Sequence, residues 1–456
     1  MSAGGLRGRD AILAGPIGST LVSLAWPLIA TALLGDCQNF ISFFWIGRLN
    51  GTAGLATLSV MAPVITVLSL IAGTANTGVQ LLTARKTGER DGEAIPIMIN
   101  GTYLAASWAI AVSIVGLVLL GPITEQLAGK LEIAHNLRSY LIPWFVFYVF
   151  PVVSGVAVFA VNGTGWTRFG LIQNVVSIGL LFILMPTFVG LFGLGIAGVA
   201  LSDGVSDALL FGLACYALYR FRGDLGLGKW QRSDWKLSFK WWRAIVSVGL
   251  YYQLARAMDV IGQLVLVRVI MESGKAAIAG WGVMMQLIIF TTGPLSCIGS
   301  AMGIMIAQNV GAGNEPRAVA CLRRGVMYLF GLGVLLFLLA TFFSEPAFRI
   351  FTDDEATIAS ARATIDLVKW VFPSVMTSSA LLRAYTAVSP NKLGNMLSIA
   401  CGCVVIAIAS VWPGTPVQRV GAAWITGSYL RLTVLIIAYP WSFKRAIRNA
   451  IASRQL

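Results

Sequence analysis

The stretch Gly51-Thr-Ala-Gly-Leu-Ala-Thr-Leu-Ser-Val-Met61 returns 223 residues later as Gly274-Lys-Ala-Ala-Ile-Ala-Gly-Trp-Gly-Val-Met284, identical at the first glycine, two alanines and the closing Val-Met. The same offset lays Ala84-Arg-Lys-Thr-Gly88 on Ala307-Gln-Asn-Val-Gly311. A Phe-Pro pair at Pro151 recurs at Pro373, one residue short of that offset. Self-similarity at a fixed offset marks an internal duplication. Apolar segments fill both copies, at roughly Ile17 to Ile46, Ala53 to Thr83, Ile95 to Leu120, Leu137 to Val161, Phe169 to Leu191 and Gly195 to Leu218. The second copy holds Ile245 to Met271, Ala276 to Ala307, Val319 to Phe343, Ile365 to Val388, Met396 to Trp412 and Val420 to Tyr439. A hydrocarbon core about 30 Å thick takes about 20 helical residues at 1.5 Å rise, so each segment is long enough to span it.

Composition agrees. Of 456 residues, 57% are hydrophobic and 11% charged, and the mean hydropathy is +0.80. A soluble domain carries about 25% charged residues, so this chain lacks the polar surface to face water all round. The fold class is an all-α integral membrane protein of twelve transmembrane helices in two six-helix repeats, with the lipid bilayer as its surroundings. The boundaries are an N-terminus over 1–16, a first lobe over 17–219, a linker over 220–243, a second lobe over 244–441 and a basic tail over 442–456. The linker carries Trp230, Trp235, Trp241 and Trp242 among basic residues, as an interfacial segment should.

Lys plus Arg outnumber Asp plus Glu by 33 to 19. Alternating the loops across the membrane puts about 21 basic residues on one side and about 8 on the other, so the excess is read as topology and not as nucleic-acid binding. Both termini are placed in the cytoplasm and the chain in the plasma membrane. The first apolar stretch is too long for a signal-peptide core and stays as a span. Six scattered cysteines are expected as buried free thiols. The single histidine, His135, in what reads as a charged loop, argues against histidine metal sites or hydrolytic triads. No enzyme, no metal and no cofactor is expected.

Six helices per copy return the chain to its starting side, so the copies enter in the same orientation and are related by an axis along the membrane normal, an arrangement typical of transporters. Charges inside spans then need a reason, because one at the bilayer centre costs about 3 kcal/mol on insertion scales. Asp36 in the first helix and Asp259 in the seventh are 223 residues apart, hence equivalent. They are the candidate cation-coupling pair. Tyr252, Arg256, Asp259 and Gln263 follow one another by four, three and four, a polar stripe on one helix face, with Arg256 in reach of Asp259 as a static ion pair or as a coupling partner. Asn39 lies one turn from Asp36, and Pro27 earlier in that helix is a candidate hinge. Asp203 and Asp207 share a face of the sixth helix, with Ser202 and Ser206 alongside. Two carboxylates this close rarely both ionise, so they could bind a cation or share a proton, or be explained by helix-end packing; the repeat places Arg431 near the equivalent of Asp207. Asn39, Tyr252, Arg256, Gln263, Asp203 and Asp207 form the candidate substrate cavity. Gln80, Gln286 and Gln308 could line it or bond between helices. Arg383 and Lys369 read as snorkelling interface residues.

Pro27, the run Ala307-Gln-Asn-Val-Gly-Ala-Gly-Asn-Glu-Pro-Arg317, its counterpart Ala84 to Gly88, and Leu382-Arg383-Ala384 resemble the multidrug and toxic compound extrusion transporters, over nearly the whole chain. The resemblance implies two six-helix lobes forming a V-shaped central cavity, and export of cationic or amphiphilic small molecules in exchange for protons or sodium ions. One departure stands out. Many bacterial members carry an Asp shortly before the glycine at the outer end of the first helix, and aligning on Gly47 puts Ser42 there, with Asp36 further inward. Asp259 falls where some members have an acidic residue in the seventh helix.

The expected mechanism is competition. A carboxylate in a low-dielectric cavity favours a proton or a counter-ion over bare charge, and a cationic cargo supplies the opposite charge, so ion and cargo exclude each other during alternating access. A monomer is expected to suffice. Two other readings stay open: a flippase for a lipid-linked substrate, which would want more cavity cations, and a polytopic membrane transferase, which would want clustered catalytic groups near one membrane face.

Overall fold

The computed structural model describes residues 4–89, 94–128, 134–221, 230–350, 353–388, 392–439 and 443–452. Every regular element among them is helical. The chain divides into two compact units, Met1–Ala11 with Ala30–Gly249, and Ile12–Ile29 with Leu250–Leu456. These boundaries are not continuous in sequence. The opening of the first long helix packs in the second unit and the opening of the seventh in the first, so each repeat lends the start of its leading helix to the other unit.

The first repeat runs through α1 (Gly4–Ala14), α2 (Ile17–Glu89), α3 (Ala94–Val118), α4 (Leu120–Ala128), α5 (Ala134–Phe147), α6 (Val149–Gly163), α7 (Arg168–Met185) and α8 (Gly195–Phe221), with a π-helical turn over Pro186–Leu191. Helical backbone runs without interruption through α2, where the sequence predicts two helices. It cannot run straight. Gln38 and Asn76 line one cavity, yet would stand about 57 Å apart on a straight helix. Ile46 and Met61 likewise share one buried cluster, so α2 doubles back and supplies two spans.

The second unit follows α9 (Phe239–Met271) with α10 (Lys275–Gly311), α11 (Glu315–Arg349), α12 (Glu355–Val368), α13 (Val371–Ala387), α14 (Lys392–Val411), α15 (Pro416–Ala438) and α16 (Lys444–Ala452). The fourth and tenth spans are broken, α5 against α6 by 46° and α12 against α13 by 56°. The repeated Phe-Pro explains both breaks, since Pro151 and Pro373 are the third residues of α6 and α13. A proline has no N–H to extend the preceding helix's ladder and fits only where that donor would go unused.

Among the described residues, nine helices are long and apolar enough to cross a membrane, eleven if each bent pair is one span. The remaining expected span is α9, 33 residues long, whose polar stripe lowers its apolarity. Backbones approach closely where glycines allow it. A Cβ on Gly78 would lie 2.3 Å from the Ile245 carbonyl oxygen, and one on Gly249 2.0 Å from that of Thr74, so α2 and the start of α9 cross in backbone contact. The linker is pinned nearby. Asn100 Oδ1 accepts from the Ser238 N–H at 2.8 Å while Asn100 Nδ2 donates to the Lys236 carbonyl at 3.3 Å.

Two local expectations need correction. All six cysteines are free, but only Cys321 and Cys401 are buried, while Cys37, Cys215 and Cys403 are exposed; a small apolar thiol is equally at home against lipid. His135 is not in a loop but is the second residue of α5.

Candidate ion-coupling site

The first unit holds a half-open cavity of about 410 Å³. Both limbs of α2 reach it, one with Gln38 and Ser42 and the other with Ser69 and Asn76. Tyr140 and Trp144 close it from α5, Ser177 from α7, and Asp203, Ser206 and Asp207 from α8. The helical spacing of four turns both carboxylates to the same side. Gly204 between them leaves room for Phe147, whose ring would stand 2.5 Å from any Cβ there. Ser177 and Ser206 hydroxyls pair at 3.3 Å across α7 and α8, which keeps the two helices in register at the cavity wall.

The lining is rich in oxygen. Besides the carboxylates, Asn76 Oδ1 is buried without a hydrogen-bond partner. Orphaned buried acceptors are costly, about 1–3 kcal/mol each, and mark places where a ligand, ion or water completes the set. Carboxylate, amide and hydroxyl oxygens suit a hard cation or a proton. Among the described residues no group of three or more His, Cys, Asp or Glu could hold a metal. Ser42 lies beside Asp203. The position where the resembling family carries its helix-one acid thus faces the carboxylate that α8 supplies.

The expected coupling pair divides differently. Asp36 is half-buried on α2 and does not line the cavity; it lies two residues before Gln38, about 200° round the helix from it. The Asn39 side chain lies outside the described residues. Pro27 is buried within α2, three residues before the backbone passes from one unit to the other. In the second unit Asp259 bonds to Arg431 of α15 and not to Arg256. Arg256 is exposed one turn away and Gln263 half-buried. Arg383 does not snorkel to an end; its guanidinium lies over the Tyr252 ring, 4.5 Å from the centroid, whereas Lys369 pairs with Asp366 at 2.8 Å. Gln80 and Gln308 are buried and Gln286 is exposed, and none of them lines the cavity of the first unit.

The sequence pointed to Asp203 and Asp207 but passed over Asn76, Tyr140 and Ser177. A lone Asn or Tyr in a span is too common to signal a site, and only packing shows that three helices aim them at one space. The Asp259–Arg431 pair had a usable signal. Asp36 is the repeat equivalent of Asp259 and Asp207 falls near that of Arg431, so one copy carries an ion pair where the other carries two acids.

Comparison with known proteins identifies the architecture. The MatE family profile matches residues 27–197 and 254–412. A probable multidrug resistance protein of Bacillus subtilis, YoeA, is 22% identical over 431 residues, 91% of this chain and 89% of its own. A FAD transporter of Shewanella oneidensis is 22% identical over 356 residues, 76% of this chain and 77% of its own. The solved outward-facing structure of a multidrug resistance MATE family transporter superposes with a TM-score of 0.86 at 17% identity, over 98% of both chains. With the duplicated six-helix plan in place and the family profile matched over both copies, the chain belongs to the MatE family, the multidrug and toxic compound extrusion transporters.

Proposed function

We propose that the protein is a secondary antiporter of the plasma membrane, with both termini cytoplasmic, that exports amphiphilic small molecules by alternating access in exchange for protons or sodium ions. The observation that carries this reading is the cavity with Asp203 and Asp207 on adjacent turns and an unpartnered Asn76 oxygen in the same lining. Two carboxylates in so confined a space repel unless a cation or a proton sits between them, which makes the site responsive to the ion gradient. Tyr140, Ser177 and Ser206 add hydroxyl oxygens to the lining, and an unloaded site carries net negative charge that is costly within a membrane.

Asp259 is a weaker coupling candidate because Arg431 already neutralises it. The orientation rests on the basic excess, about 21 residues against 8 by loop alternation, on the side of both termini. The test is efflux from proteoliposomes under a pH gradient and, separately, a sodium gradient. Asp203→Asn and Asp207→Asn should each lower gradient-driven efflux at least tenfold. Undiminished efflux in both variants would remove the cavity from the mechanism.

A further inference from the structure

The two units differ in the charges that their spans hold. Among the charges within the spans, the first has the acids Asp36, Asp203 and Asp207, whereas the second has Arg256, Arg383 and Arg431 as well as Asp259. Arg431 is satisfied by Asp259. Arg256 and Arg383 have no hydrogen-bonded or ion-paired partner among the described residues. A guanidinium inside a span without a counter-charge is expensive to insert, and such residues mark pathways for charged ligands.

Their geometry suits an anion. Arg383 lies over Tyr252 with its guanidinium carbon 4.5 Å from the ring centroid. A cation–π contact with an aromatic face uses none of the guanidinium N–H donors, which stay available to a carboxylate or phosphate. The ring itself is held, being 6% exposed and packed with Ala255, Leu382 and Ile399. The Arg383 stem is held too, since α10 passes it at Gly299, where a Cβ would stand 3.5 Å from Arg383 Cγ. Arg256 follows Tyr252 by one helical turn on the same face and is exposed. A held arginine, an exposed arginine and an apolar wall are the parts of a receptor for an amphiphilic anion.

We infer that the cargo carries an anionic group, bound between Arg383 held over the Tyr252 ring and Arg256 one turn from Tyr252. The inference names the cargo class for the transport reading above and rests on it, but is tested without any gradient. Purified protein in nanodiscs of zwitterionic lipid is titrated with two xanthene dyes of similar core and opposite charge, fluorescein and rhodamine 6G. Fluorescein should bind, and Arg256→Gln with Arg383→Gln should weaken it at least tenfold while leaving rhodamine 6G within twofold. Replacing both arginines by lysine should restore part of the fluorescein affinity, which a merely structural role would not. Arg256→Gln alone, at an exposed position, carries the same test at about threefold should the double variant fail to fold. Binding of rhodamine 6G only, or fluorescein binding unchanged in Arg256→Gln and in the double variant, overturns the inference. Loss of gradient-driven efflux with fluorescein binding intact would instead count against the antiport reading and leave this one standing.

Discussion

Asp259 and Arg431 show how one contact fixes the meaning of a buried charge. Their side chains are unequally covered, with 37% of Asp259 and 17% of Arg431 exposed. Removing one partner strands the other, and the cost follows how deeply the stranded group is buried. Asp259→Asn should therefore destabilise more than Arg431→Gln, by about 2 kcal/mol against about 1 kcal/mol, the latter reduced because water reaches the carboxylate. The double variant should recover most of the loss, since neither charge is then unmatched. Thermal unfolding of the detergent-solubilised protein checks this, and strict additivity would mean that the pair carries no coupling.

At the scale of elements, stability comes from helices that meet where side chains are absent. Gly78 and Gly249 put α2 and α9 in backbone contact. Gly249→Val must push those helices apart and should cost about 1–3 kcal/mol by overpacking. Gly212→Ala on α8, with open space around it, should be neutral or slightly stabilising, because alanine restricts the unfolded chain more than glycine does. A comparable loss of melting temperature in both would show that the crossing is not tight. Helix ends give a further prediction. Asp354 caps α12, accepting from the Thr357 hydroxyl and from the Thr357 N–H at 2.9 Å. Those bonds hold its carboxyl below the ordinary carboxylate range. A group lowered on folding stabilises the helix above its unfolded pKa, and that contribution is lost as pH falls through the lowered value. Hydrogen exchange at the start of α12 should thus quicken, relative to the rest of the helix, in acid. Asp354→Asn should keep a competent cap yet abolish that pH dependence.

For the whole molecule, the plan of the fold is legible in the sequence and the working site only partly so. Twelve apolar segments and a 223-residue repeat are linear features, readable without knowing what touches what. Even the bends at Tyr148 and near Lys369 are announced by a repeated Phe-Pro. Asp203 and Asp207 could be singled out because they share a helix face, which spacing reports. That Asn76, from the second limb of α2, joins them could not, because it depends on the rotation of one helix against another. The transport prediction belongs at this scale too. With an inward sodium or proton gradient imposed separately, one should support dye efflux and the other should not, and equal efflux with neither gradient would exclude coupling.

The amino-acid order by itself determined a duplicated bundle of membrane helices and the residues that are expensive inside it, because span length, apolarity and the cost of a charge in hydrocarbon are local quantities. Tertiary packing alone decided that Asp259 meets Arg431 and not Arg256, that Asp36 stays off the cavity, and that the first turns of α2 and α9 belong to opposite units. Those outcomes depend on which faces of separate helices come together, and close packing between residues far apart in the chain sets that.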